Sequence, residues 1–124
     1  MTVTREHVLA VVQSYCDLLT SGTAAQIADL YADDATVEDP LGADVLKGRE
    51  AIQGFYATIE PLDRHGELKL VRATDNEAAF NFELNIKHDN GGMVIAPIDV
   101  MTFNDEGKIT SMRAFWTQDD IKQL

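Results

Sequence analysis

Residues 78–103 read AAFNFELNIKHDNGGMVIAPIDVMTF. The first part alternates, with Phe80, Phe82, Leu84 and Ile86 set against Asn81, Glu83, Asn85 and Lys87, the period-two pattern of a strand with one buried face. Asp89-Asn90-Gly91-Gly92 follows as a hairpin turn, because glycine takes positive φ without strain. The run 93–103 is then apolar on both faces: Val94, Ala96, Ile98 and Val100 on one, Met93, Ile95, Met101 and Phe103 on the other. A strand buried on both sides lies inside a sheet or is covered by a second subunit. Asn104-Asp105-Glu106-Gly107 turns the chain again and residues 108–116 return, so this part of the chain is an antiparallel meander.

Upstream the period changes. Thr4 is an N-cap ahead of Val8, Leu9, Val11, Val12, Tyr15, Cys16, Leu18 and Leu19, a helical spacing that Gly22 ends. Thr23-Ala24-Ala25-Gln26 is a capping-box pattern, and Ile27, Leu30 and Tyr31 extend a second, shorter helix, which Asp33-Asp34 ends. Residues 35–40 (ATVEDP) read as a short strand stopped by proline, residues 41–48 as a loop, and residues 49–59 as a third helix with Ala51, Ile52, Phe55, Tyr56 and Ile59 on one face. A strand over 67–74 precedes the quoted stretch. Three helices followed by a meander make an α+β fold: a cone of helices on a strongly curved, mainly antiparallel sheet, whose apolar interior suits a small molecule.

The 124 residues suit one domain, 1–124. The formal net charge of -11 argues against tracking nucleic-acid phosphates and against an anionic membrane surface. Charges interrupt the apolar run at the start, MTVTREHVLAVVQSYCDLL, which is neither a leader nor a spanning helix; a cytoplasmic protein is expected. Cys16, the single cysteine, reads as a small buried hydrophobe. His7, His65 and His88 stand apart without metal-ligand spacing, and no phosphate loop, nucleophile elbow or paired-cysteine motif occurs.

Asp99 is the anomaly, a lone acid within residues 93–103. An isolated carboxylate removed from water stays neutral, pairs with a cation or is not buried after all. Arg113, across a hairpin, is the available cation. Without it, a protonated Asp99 would donate a hydrogen bond, and in a dry pocket that bond supports a developing oxyanion. Asp39 ends a short strand, stiffened by Pro40; it suits either a plain turn or a general base at a pocket mouth. Tyr15, Tyr31 and Tyr56 lie on apolar faces, either as separate core residues or with their hydroxyls joined in a chain. Met112, Ala114 and Trp116 share one face of the last strand, as core or as pocket wall.

Taken together, QSYCDLL, LYADDATVEDPLG, IQGFYAT, NEAAFNF and APIDVMTFNDEGKITSMRAFW resemble the bacterial Δ5-3-ketosteroid isomerases, within the nuclear transport factor two-like or SnoaL-like cone fold. The resemblance covers residues 7–116. It implies Asp39 as general base, Tyr15 and a protonated Asp99 as the oxyanion hole, and Tyr31 and Tyr56 as a supporting hydrogen-bond chain. That family is itself the standing illustration of a carboxylic acid held neutral by an apolar site. It implies cofactor-free transfer of a proton from C4 to C6 of a 3-oxo-Δ5-steroid, giving the Δ4-3-ketone, and a homodimer formed through the sheets. Val37, Leu41, Phe55, Phe82, Ile95, Met101, Met112 and Trp116 are then the candidate steroid-contacting residues. The segment EPLDRHGEL, residues 60–68, fits the resemblance least and bears on which steroid is accepted. The competing readings on the same cone are a polyketide cyclase or epoxide hydrolase-like enzyme, and a non-catalytic steroid- or lipid-binding module, which would not need Asp39.

Overall fold

The structure, a computed structural model, describes residues 3–124; Met1 and Thr2 of the N-terminal stretch lie outside them. Helix α1 (Arg5–Ser21) opens where the Thr4 hydroxyl accepts the His7 amide and closes at Gly22. Helix α2 (Ala24–Ala28) is held by the reciprocal Thr23–Gln26 capping box. The chain continues through β1 (Tyr31–Glu38), β2 (Leu46–Lys47), α3 (Arg49–Ala57), β3 (Asp63–Ala73), β4 (Glu77–His88), β5 (Gly91–Ile95), β6 (Ile98–Phe103) and β7 (Ile109–Phe115), and ends in a 3-10 turn (Gln118–Asp120) and β8 (Ile121–Gln123). The fold is α+β, with α1 packed on β3 and β4, and α3 on β1 and α2. All strand pairs are antiparallel except β1 with β7.

Strand β4 is the spine of the eight-stranded sheet. One edge pairs with β3 from Ala78 to Lys87. The other edge changes partner partway, pairing with β6 from Glu77 to Asn81 and with β5 from Leu84 to His88. The change falls at Ala96-Pro97, so the expected single strand 93–103 is two strands. Proline has no N–H to give a ladder. The Ala96 amide turns away to the Asp120 carbonyl (3.1 Å), and the Asn81 side-chain amide donates to the Pro97 carbonyl (3.0 Å). From this break β5 leads to β8 while β6 leads to β7.

The helices end sooner than their spacing suggests. Ile27, Leu30 and Tyr31 fit a helical face, yet Tyr31 begins β1, where it pairs with Ile109 of β7. The Ile109 amide donates to the Leu30 carbonyl (2.9 Å), so long-range pairing wins over a weak local helix. Asp33 and Asp34 therefore belong to β1 rather than to a helix end, and β1 starts four residues before the expected position 35. The loop 41–48 contains β2, β3 begins at Asp63 rather than at 67, and β8 had no periodic signal at all.

Inward-facing residues form one core, in which Val8, Val12, Ile27, Ile52, Phe80, Met101, Ile109 and Met112 are fully buried. The outer face of the sheet is a different matter. Leu70, Ile98 and Phe115 are 54%, 50% and 39% exposed, so the second apolar face is not covered by the chain itself. Among the described residues no helix is long and apolar enough to cross a membrane. Truncating Met101 to Ala is expected to lower unfolding free energy by about 2–5 kcal/mol, because its side chain is fully buried and a core relaxes only partly around such a loss. Denaturant titration of the variant checks this, and an unchanged midpoint would contradict it.

Candidate active site

The three tyrosines arrive from different elements and meet. Tyr15 lies on the buried face of α1, Tyr56 on α3 and Tyr31 at the start of β1. The Tyr56 hydroxyl is the middle link, 2.9 Å from the Tyr15 hydroxyl and 2.7 Å from that of Tyr31. The hydroxyls therefore form one chain, with Tyr15 at an end, free to face a ligand. Burial pushes all three phenols well above their ordinary range, so they stay protonated donors.

Asp99 faces inward on β6, between Phe80 of β4 and Ala114 of β7, and is 1% exposed. Arg113 does not neutralise it. Arg113 pairs with Val100, on the opposite face of the sheet, and its guanidinium lies 5.5 Å from the centre of the Phe115 ring. Among the described residues no cation pairs with Asp99, and its Oδ1 is buried without a hydrogen-bond partner. Burial, reinforced by the nearby charge of Asp39, raises its pKa well above the usual carboxylate range. Phe80 links this carboxyl to the tyrosines, because its ring also meets Tyr15 edge-on at 6.1 Å.

Asp39 follows β1 at the rim. The Leu41 amide donates to the Ala114 carbonyl (2.8 Å), and Glu38 accepts the Gly42 amide (2.7 Å), so the turn after Asp39 is fastened on both sides. The Trp116 indole N–H donates to Asp39 Oδ1 at 2.6 Å. Partial burial raises the pKa of Asp39, while the Trp116 bond favours its charged form and holds the rise down. Two carboxyls thus occupy contrasting environments, and Asp39 is the one suited to carry the charge.

A cavity of about 180 Å³ lies between the helices and the concave sheet. Tyr15, Tyr56, Asp39, Phe55, Phe82, Ile95 and Trp116 line it, so two polar candidates and four apolar ones converge there with the central tyrosine. Asp99 and Tyr31 stand outside the lining. Val37, Met101 and Met112 are fully buried in the core rather than on the cavity wall, and Leu41 is 43% exposed outside it. Leu19, Thr58, Ile59, Leu84, Ile86 and Pro97 also line the cavity, although the sequence did not single them out. Leu84 and Ile86 share the strand face of Phe82, and Leu19 lies one helical turn beyond Tyr15, so face parity carried their signal. Among the described residues no group of side chains is arranged to hold a metal ion.

With the cone and its cavity in place, the chain belongs to the SnoaL-like domain family, which it matches over residues 12–112. A steroid Delta-isomerase of Nocardioides simplex is 47% identical over 115 residues, spanning 93% of this chain and 94% of that one. Among solved structures, an epoxide hydrolase/cyclase-like enzyme of pyran ring formation in the polyether salinomycin superposes with a TM-score of 0.88 at 27% identity, covering 96% and 97% of the two chains. A protein of Mycobacterium tuberculosis superposes at 0.87 with 22% identity over the whole of both chains, which bears on the fold alone.

The environment of Asp99 predicts a pH signature. Its folded pKa lies above the unfolded value, so folding takes up a proton between the two. The stability contributed is complete below the unfolded value and is lost as pH rises toward the folded one. Asp99→Asn removes that slope. Denaturant unfolding between about pH 4 and 8 should show wild-type stability declining relative to Asp99→Asn as pH rises, and parallel profiles would contradict it.

Proposed function

We propose that the chain is a steroid Δ-isomerase that converts 3-oxo-Δ5-steroids to 3-oxo-Δ4-steroids without a cofactor. The observation that carries this reading is the placing of a carboxylate, Asp39, and a hydroxyl donor, Tyr15, on the wall of one otherwise apolar cavity. A general base and an oxyanion donor on opposite sides of a bound ketone are what enolisation needs. The apolar wall suits a fused-ring hydrocarbon skeleton.

In this reading Asp39 takes the C4 proton, and charge moves to the C3 oxygen to give a dienolate. Tyr15 donates to that oxygen, its own hydroxyl supported by Tyr56 and, beyond it, Tyr31. Asp99 stands outside the cavity lining; in this reading its protonated, unpartnered carboxyl turns to the C3 oxygen as a second donor. Asp39 then returns the proton to C6. Trp116 holds the Asp39 carboxylate within reach of both carbons and keeps it ionised. The epoxide hydrolase-like alternative suits several acids and an arginine around one water, whereas here a tyrosine chain adjoins the acids.

The uncovered apolar strip of Leu70, Ile98 and Phe115 is where we place a homodimer contact, in a cytoplasmic enzyme. Sedimentation should give a dimer for the wild type and a monomer for Ile98→Asp; identical behaviour would reject that contact.

The kinetic test follows the rise of conjugated enone absorbance from 5-androstene-3,17-dione. Asp39→Asn, which deletes the proton carrier, should lower turnover by roughly 100- to 10,000-fold. Tyr15→Phe and Asp99→Ala should each raise the barrier by about 2–4 kcal/mol, as loss of an oxyanion donor does. Activity should fall on acidification with a midpoint above the ordinary aspartate range, as Asp39 protonates. Wild-type rates in all three variants would overturn the assignment.

A further inference from the structure

Residues 60–68 hold Arg64, the buried cation among the described residues, 8% exposed. Its Nη1 donates to the carbonyls of Leu18 (3.1 Å) and Leu19 (2.6 Å), and its Nη2 to those of Gly22 (2.6 Å) and, more weakly, Glu60 (3.5 Å). The Leu18, Leu19 and Gly22 carbonyls lie at the C-terminal end of α1, where the helix dipole is negative; the Leu18 carbonyl also accepts the Gly22 amide (2.7 Å), which closes the helix. A guanidinium there supplies several donors in one plane, which a lysine cannot do.

Other contacts bind the same place. Gly66 sits beneath α1, and a Cβ on it would lie 2.9 Å from the Cys16 carbonyl oxygen and 3.2 Å from Leu19 Cβ. Only a residue without a side chain lets the helix come so close. Thr20 exchanges hydrogen bonds with Gly66, accepting from its amide (2.8 Å) and donating to its carbonyl (3.2 Å). Glu60 accepts the Ala24 amide with its side chain (2.5 Å), which brings in the start of α2. The end of α1, the start of α2 and residues 60–66 are thereby tied together around Leu19.

Leu19 lines the cavity, as do Ile59, Leu84 and Ile86. Tyr15 is one turn earlier on α1, about 6 Å along the axis. On the facing strand, Phe82 to Ile86 covers about 13 Å. The cavity therefore has a polar end at Tyr15, Asp39 and Trp116 and an apolar end at Leu19 and Ile86. If the 3-keto group sits on Tyr15, ring D and its C17 substituent reach the apolar end.

We propose that Arg64 is a specificity-determining positioning residue: by gathering the last carbonyls of α1 it fixes Leu19 against Ile86, and so sets the wall that receives the ring-D end of an uncharged steroid. This rests on the steroid reading above. Arg64 touches neither the base nor the oxyanion donors, so it governs fit and not proton transfer.

The test compares 5-androstene-3,17-dione with 5-pregnene-3,20-dione, whose C17 substituent is larger, on the wild type, Arg64→Met, Arg64→Lys and Gly66→Ala. Arg64→Met should raise KM for the smaller substrate by about tenfold with kcat within about twofold, and shift preference toward the larger one. Arg64→Lys should recover part of the loss. Gly66→Ala, which pushes on the same wall from below, should shift preference the same way. A folded Arg64→Met with unchanged KM and preference, or with kcat falling in step, would overturn the inference; if that variant does not fold, the other two decide it by the same criteria. Progesterone quenching of Trp116, the only tryptophan, reads affinity without turnover. A wild type that binds progesterone but turns over neither substrate would reject the isomerase reading alone. The inference about Arg64 would then stand or fall on whether its variants weaken that binding.

Discussion

A carboxyl with no cation beside it, fixed between Phe80 and Ala114, is the constraint on which the site depends. Burial makes its charged form costly, and the nearby charge of Asp39 adds to that cost. The arrangement is stable only if Asp99 keeps its proton. In the isomerase reading, that retained proton makes Asp99 a hydrogen-bond donor and leaves Asp39 to carry the negative charge. Asp39, at the rim, is only partly buried, and the indole N–H on its oxygen favours its ionised form.

The scaffold holds this pair in place through the break at Pro97 and the anchoring of α1. By interrupting one ladder, Pro97 lets β4 be held by β6 beside Asp99 and by β5 beside the cavity. Helix α1 carries Tyr15 and is tied near both ends: Arg5 donates to the Ala73 carbonyl and His7 bonds that of Gly107 at the start, while Thr20 and Arg64 act at the finish. In the isomerase reading, Tyr15 acts as an oxyanion donor from a position fixed before the ligand arrives, and those ties hold the helix that carries it.

Much of this was legible in the sequence because it is local. Caps at Thr4 and Thr23, the alternation through Phe82 and the turns at Gly91 and Gly107 each follow from a few neighbouring residues. Asp99 drew notice because a lone acid contradicts its apolar surroundings. What escaped depends on contacts between distant segments. Tyr31 fits a helix by spacing, and only the pairing with Ile109 makes it strand. Arg64 lies in a polar stretch that looks like a loop, and its burial is evident only once the α1 carbonyls are beside it. Met101 and Phe82 both face inward, yet one lies in the core and the other on the cavity wall, a difference of depth that periodicity does not encode.

The protonation of Asp99 can be observed directly. Infrared difference spectroscopy of the wild type against Asp99→Asn at neutral pH, with aspartate carboxyl carbons isotopically labelled, separates a protonated carboxyl from a carboxylate. A protonated carboxyl band is expected in the wild type, missing from the variant and persisting as pH rises past the ordinary carboxylate range. A carboxylate band for Asp99 at neutral pH would contradict it, because a charged Asp99 could neither donate to an oxyanion nor sit uncompensated beside Asp39.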